Sequence, residues 1–264
     1  MQMITEKQYA EHPVFEQLEK YSAFYDNLSS LIFQFVSMGT GSVLNIDTYV
    51  YSSMQGTLDS IREILLHGRI NDAYALLRKY YDAGIINIYT NLYLDDHFSI
   101  ENFVVEKIDN WLKGKEQLPD IRSMNSYIQK SEKVAPIYRL LHQDKRYSEL
   151  RDRCNDHTHY NFYHNVLLNN RQMFSEKKIA ILNRFAKDLE NIFILHLAYL
   201  FYFSDHYMMA SEYIDCLDCG ITPDPESLYW VAPFVQDIFD TVIKKNRMDL
   251  ALEIKSKTSM QLSI

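Results

Sequence analysis

The apolar positions of this chain fall at gaps of three and four, the period of an α-helix. Over residues 14–38 they are Phe15, Leu18, Tyr21, Tyr25, Leu28, Ile32 and Phe35, and Gly39 with Gly41 ends that run. A second helix is expected over about 47–67, with Gly68 at its end, where a left-handed cap is needed. A third, capped by Asn71, runs to about Leu94. Gly84 sits in its middle, where glycine costs about 1 kcal/mol relative to alanine, and marks a close helix crossing.

Ser99 is placed to cap a helix over 100–113, Pro119 to open one to about Glu132, and Pro136 a short one to about His142. Another helix starts at Tyr147. A long one follows from Ser175 to about Tyr213, and its middle, 192–203 (IFILHLAYLFYF), is apolar on all sides. Such a segment belongs at the centre of the fold, with His196 bonded to a core neighbour. Beyond the loop that holds Pro223 and Pro225, a helix to about Lys245 is expected to kink at Pro233. A short last helix covers 248–255. No alternating run is long enough for a strand, and no internal repeat occurs. The expected fold is all-α: a single multi-helix bundle of about eight or nine helices around a central apolar helix. Residues 1–220 form the bundle and 221–264 a C-terminal helical appendage packed on it.

Composition agrees with that reading. Only 7 Gly and 6 Pro occur in 264 residues, so tight turns are few. The 20 Tyr and 14 Phe suit helix–helix seams that reach the surface. Net charge is −8, which argues against a chain coated in nucleic acid. The charge is uneven, however. Residues 130–187 hold 12 Lys/Arg against 6 Asp/Glu, a net of +6, which leaves −14 for the rest.

Three cysteines, Cys154, Cys216 and Cys219, are few and odd in number, as in a reducing compartment. Cys216 and Cys219 have metal-ligand spacing but no second pair, so two free thiols are expected there rather than zinc. The N-terminal residues lack a signal-peptide pattern, and the longest apolar run is too short to span a bilayer. The reading is a cytoplasmic protein without membrane contact, metal or cofactor.

Several chemistries lack their motifs. There is no phosphate-cradling G-x-x-x-x-G-K-[ST], no G-x-S-x-G, no H-E-x-x-H and no E-x-x-H. What stands out is 151–165, RDRCNDHTHYNFYHN, in the middle of the basic block. An Arg beside a His is what metal-independent RNA cleavage needs. The imidazole moves a proton near neutral pH, and a guanidinium fork carries the charge that gathers on the phosphate. Two registers offer the pair: Arg151 with His157, and Arg153 with His159. Asp152 or Asn155 is a candidate to orient a sugar hydroxyl or the imidazole. Six residues rotate by about 600° on a regular helix. Either pair therefore converges only on a distorted helix or across a dimer axis. Elsewhere, Arg78 and Asp82 are four apart and form a structural ion pair.

The Arg151-Asp152-x-x-x-x-His157 spacing resembles the R-x(4–6)-H motif of the HEPN superfamily, in which a polar residue usually follows the Arg. Arg153 is followed by Cys154, so the second register fits less well. The segment 72–83, DAYALLRKYYDA, also resembles a helix of HEPN-like bundles, and the resemblance spans about 46–213. It implies an α-helical, usually dimeric domain that binds or cleaves RNA without a metal, often in toxin–antitoxin or abortive-infection systems. On that resemblance Arg151, Asp152 and His157 are the catalytic candidates, with Arg153, Asn155 and His159 behind them. RNA, a second copy of the chain and an antitoxin-like protein are the implied partners. The other reading is a non-catalytic helical module for dimerisation or protein interaction, which the aromatic surplus and the acidic remainder of the surface support.

Overall fold

The computed structural model describes residues 6–33, 46–170, 175–210, 215–216, 219–222, 224, 231–258 and 260–264. Among these every regular element is helical, and one isolated bridge pairs Met209 with Val231. The helices are α1 (Lys7–Ala10), α2 (Val14–Ile32), α3 (Ile46–Leu66), α4 (Ile70–His97), α5 (Glu106–Leu112), α6 (Ile121–Lys130), α7 (Ala135–Leu141), α8 (Arg146–Thr158), α9 (Tyr163–Leu167), α10 (Ser175–Phe203), α11 (Pro233–Ile238) and α12 (Met248–Lys257). That exceeds the eight or nine expected, because short helices appear where continuous ones or loops were read. No helix among the described residues is long and apolar enough to cross a membrane.

The expected central helix is central. Residues 192–202 of α10 are all buried, and α2, α4, α7, α8 and α12 pack around it. Tyr21 stacks on Phe193 with centroids 3.7 Å apart. Gly84 of α4 lies against His196 of α10, and a Cβ built there would sit 3.6 Å from the ring. The crossing inferred from that glycine is therefore real. Gly68 takes φ +73° and closes α3 through its N–H on the Leu65 carbonyl, as a left-handed cap does.

Other boundaries moved for local reasons. Asn71 does not cap α4. Its N–H and that of Asp72 bind the Asn169 side chain, delivered from the turn after α9. Ser99 does not start a helix, because it closes a turn with Asn102 in which its hydroxyl accepts the Asn102 N–H. Such side-chain bonds compete with helix formation, and α5 begins only at Glu106. Helix α6 starts at Ile121 rather than at Pro119, and Asp120 caps it by accepting from Ser123 N–H at 2.8 Å. The long helix stops at Phe203 rather than near Tyr213, and a 3-10 turn follows over Asp205–Met208. Pro233 starts a helix instead of kinking one. Ala232 before it is extended, as the residue before proline prefers, and the ring occupies the first turn of α11. Gly39, Gly41, Pro223, Pro225 and the start of the helix expected after Pro225 lie outside the described residues. The end of the chain shares the bundle's own core: Val235, Phe239, Ile243, Leu250 and Ile254 are buried in the same cluster as α2 and α10.

One chain of polar groups runs through that core. Asn87 donates from Nδ2 to the buried Asp47 carboxylate at 2.8 Å, so its Oδ1 faces His196 Nε2 at 2.9 Å and accepts from it. His196 Nδ1 then accepts from the Tyr25 hydroxyl at 2.7 Å, and Tyr25 accepts from Tyr80 at 3.0 Å. Asn91 and Tyr207 also bond Asp47. Burial pushes the His196 imidazole down to about 3 and the Asp47 carboxyl up. The imidazole is neutral, and both its nitrogens are satisfied.

Candidate functional site

Helix α8 carries most of the polar stretch, and its periodicity divides those residues between two surroundings. Tyr147, Leu150, Cys154 and His157, at gaps of three, four and three, form a buried stripe. Ser148, Arg151, Asp152 and Asn155 form the next stripe, which lines a cleft.

The buried stripe serves the fold. His157 stacks on Tyr74 with centroids 4.0 Å apart and planes 3° apart. Asn71 Nδ2 donates to the His157 carbonyl at 3.0 Å, so Asn71 Oδ1 accepts from His157 Nδ1 at 2.8 Å. Burial lowers the imidazole to about 4, with the His164 charge adding to the effect. The Cys154 thiol is pushed up to about 12 by burial. Arg153 grips Asp188 of α10 through Nε at 3.0 Å and Nη2 at 2.5 Å, and Asp188 is 2% exposed. Tyr74 donates to the same carboxylate at 3.4 Å.

Arg78 and Asp82 form the expected pair, with Nε 2.9 and 3.0 Å from the two carboxylate oxygens. The pair does more than stiffen α4: Arg78 Nη1 also donates to Asn155 Oδ1 at 2.6 Å and ties α8 down. Two asparagines after α8 hold Asp156. Asn161 and Asn165 bind the side chain and carbonyl of Asp156, and Tyr160 takes φ +49° to let the chain turn. His159 is exposed at the end of α8.

Arg151 and Asp152 are different. Neither makes an ion pair or side-chain hydrogen bond among the described residues. Arg151 Nε is buried without a partner, and its terminal nitrogens are not. Both residues line a cleft of about 540 Å³. Helix α6 contributes Arg122, Asn125, Ser126 and Gln129; α7 and its end contribute Tyr138 and His142; α4 contributes Tyr81. Burial raises the Tyr81 hydroxyl to about 12 although Arg151 opposes the shift. Asp144, beside His142, is held down to about 2 by the Arg146 fork.

Arg151 and His157 therefore do not converge within one chain, nor do Arg153 and His159. Helix α8 runs from Arg146 to Thr158 with His159 as its C-cap, so Arg151 and His157 sit on continuous helix and only the dimer-axis condition for their convergence is left. Arg122, His142, Asp188 and the Asn71–Tyr74 seat were not singled out from sequence. Asp188 had a signal, since a carboxylate on the apolar helix α10 requires a partner. The 147/150/154/157 spacing was a signal for His157. Nothing local marked His142 or Arg122, because the cleft joins segments distant in the chain. The three cysteines are free thiols. No family model matches this chain, and neither does any curated protein or solved structure.

Proposed function

We propose that this protein binds RNA through the cleft between α6, α7 and α8, with Arg151 and Arg122 on the phosphates and Asp152 near a sugar hydroxyl. The observation that carries this reading is Arg151: a guanidinium with no anionic partner among the described residues, in a polar cleft whose α7 and α8 walls belong to the basic block. A guanidinium whose Nε is buried and unpartnered, with its terminal nitrogens open to the cleft, is suited to an anion that can accept from the fork. The amide and hydroxyl side chains of α6 supply the neutral donors and acceptors that a sugar–phosphate strand needs. The HEPN resemblance points to the same ligand, and the few free cysteines fit a cytoplasmic setting.

The test is fluorescence anisotropy with a labelled single-stranded RNA of about 20 nucleotides across a salt series. Each lost phosphate contact flattens the salt slope by about 0.7 on a single strand. Arg151→Gln and Arg122→Gln should each weaken binding and flatten the slope. Absence of binding at low salt, or unchanged binding in both variants, overturns the reading.

A second reading, a helical protein-interaction module, draws on an apolar groove of about 480 Å³ along α3, α4 and α5. It is lined by Ile46, Tyr49, Val50, Ser53, Ala83, Ile86, Trp111 and Leu112, with Tyr49 61% exposed. A homodimer seated there would separate into monomers on Val50→Arg, read by light scattering.

A further inference from the structure

We propose that His142 is the proton acceptor of this cleft and takes the 2′-hydroxyl proton of an RNA strand bound there, an inference that rests on the RNA-binding reading of the same site. His142 lines the cleft with Arg151. Its Nδ1 lies 3.0 Å from the Tyr138 carbonyl, and its ring stacks on Tyr138 at 4.0 Å. A carbonyl only accepts, so the proton sits on Nδ1 and the lone pair on Nε2. Nε2 has no protein hydrogen bond among the described residues and is not among the buried unpartnered atoms, so its lone pair is accessible. Partial burial holds the imidazole below its ordinary value, which keeps it neutral near pH 7. His157 and His196 lack this combination, because both rings are buried and bonded to asparagines.

The step balances without a metal. The 2′-hydroxyl proton passes to His142 Nε2 as the 2′ oxygen bonds to the adjacent phosphorus. The bond from that phosphorus to the 5′ oxygen of the next nucleotide breaks. The departing oxygen takes a proton from water, and the hydroxide left behind takes the proton back from the imidazolium. The products are a 2′,3′-cyclic phosphate and a 5′-hydroxyl end. Arg151 and Arg122 carry the charge that gathers on the phosphate.

His97 provides an internal control. It makes the same Nδ1 bond to a tyrosine carbonyl, Tyr93 at 2.9 Å, and the same ring stack at 3.9 Å, but outside the cleft. The experiment incubates full-length protein with end-labelled single-stranded RNA in EDTA. Binding and product ends are measured for the wild type, His142→Ala, His142→Gln and His97→Gln. Wild type and His97→Gln should cut RNA to cyclic-phosphate ends and leave a 2′-deoxy site intact. Both His142 variants should bind RNA within twofold yet cut about 100-fold more slowly or worse. Added imidazole should restore part of the activity to His142→Ala alone, which a merely structural role for His142 does not predict. RNA that binds but is not cut, 3′-hydroxyl products, or full activity in His142→Ala would each overturn the inference and leave the binding reading standing. Failure to bind RNA at all overturns both.

Discussion

The groups around His196 and those along the cleft face of α8 are comparably polar, but their bonds are accounted for differently. Around His196 each donor meets an acceptor in one direction, from Tyr80 through Tyr25, His196 and Asn87 to Asp47. Beside the cleft, Arg151 Nε, Tyr147 Oη and, deeper, Tyr199 Oη are buried without protein partners. A closed network specifies a fold, because removing one member leaves its buried neighbours without a partner. An open set of donors does not stabilise the fold in that way, and its natural complement is a ligand or water that brings acceptors. Polarity in the sequence is thus a poor guide to function until the bonds are traced.

The largest expected effect lies in the closed half. Asp188→Ala leaves the Arg153 guanidinium without its buried partner and should cost about 3–5 kcal/mol by urea unfolding. Tyr25→Phe strips His196 Nδ1 and the Tyr80 hydroxyl of their partner and should cost about 1–3 kcal/mol. If either variant unfolds like the wild type, the distinction between closed and open polar groups fails at its stronger end.

Acid tests the same half without mutation. His157 and His196 are held at about 4 and about 3, below the ordinary 6.5. Between those values and 6.5 the unfolded chain binds more protons, so stability rises with pH there. It is fully present above about 6.5 and is lost as pH falls toward 4. At pH 5 each imidazole should have cost about 2 kcal/mol relative to pH 7. Thermal midpoints from pH 7 to pH 5 check this, and His157→Gln should flatten the decline. A pH-independent midpoint would contradict neutral, buried imidazoles.

In the open half the effect should appear in binding rather than folding. Arg151→Gln should leave the thermal midpoint nearly unchanged and weaken RNA binding about tenfold, or about 1.4 kcal/mol. A marked loss of stability would mean that Arg151 belongs to the scaffold with Arg153.

The fold was legible because helices advertise themselves locally. The period of three and four, Gly68 and the apolar run in α10 all act within a few residues of where they are read. What moved did so for contacts that sequence order hides. Asn169 caps α4 from 98 positions away from Asn71, and Arg153 finds Asp188 across 35. The candidate site was half legible. Arg151 and Asp152 stood out and line the cleft, whereas His157 stood out and is spent on Asn71 and Tyr74. Spacing alone could not separate them, because the R-x-H register ignores which stripe of α8 each residue occupies.

The finest test sets two tyrosines against each other. Tyr25 and Tyr199 are both fully buried, in α2 and α10 of the same core. The Tyr25 hydroxyl is bonded on both sides, whereas the Tyr199 hydroxyl has no protein partner. Removing an unsatisfied buried hydroxyl relieves its desolvation, so Tyr199→Phe should be neutral or stabilising, within about 0.5 kcal/mol of wild type. Urea unfolding of Tyr199→Phe beside Tyr25→Phe measures the difference under one condition. Equal losses would show that the Tyr199 hydroxyl is bonded through an ordered water, and the donors beneath the cleft would then be as closed as those around His196.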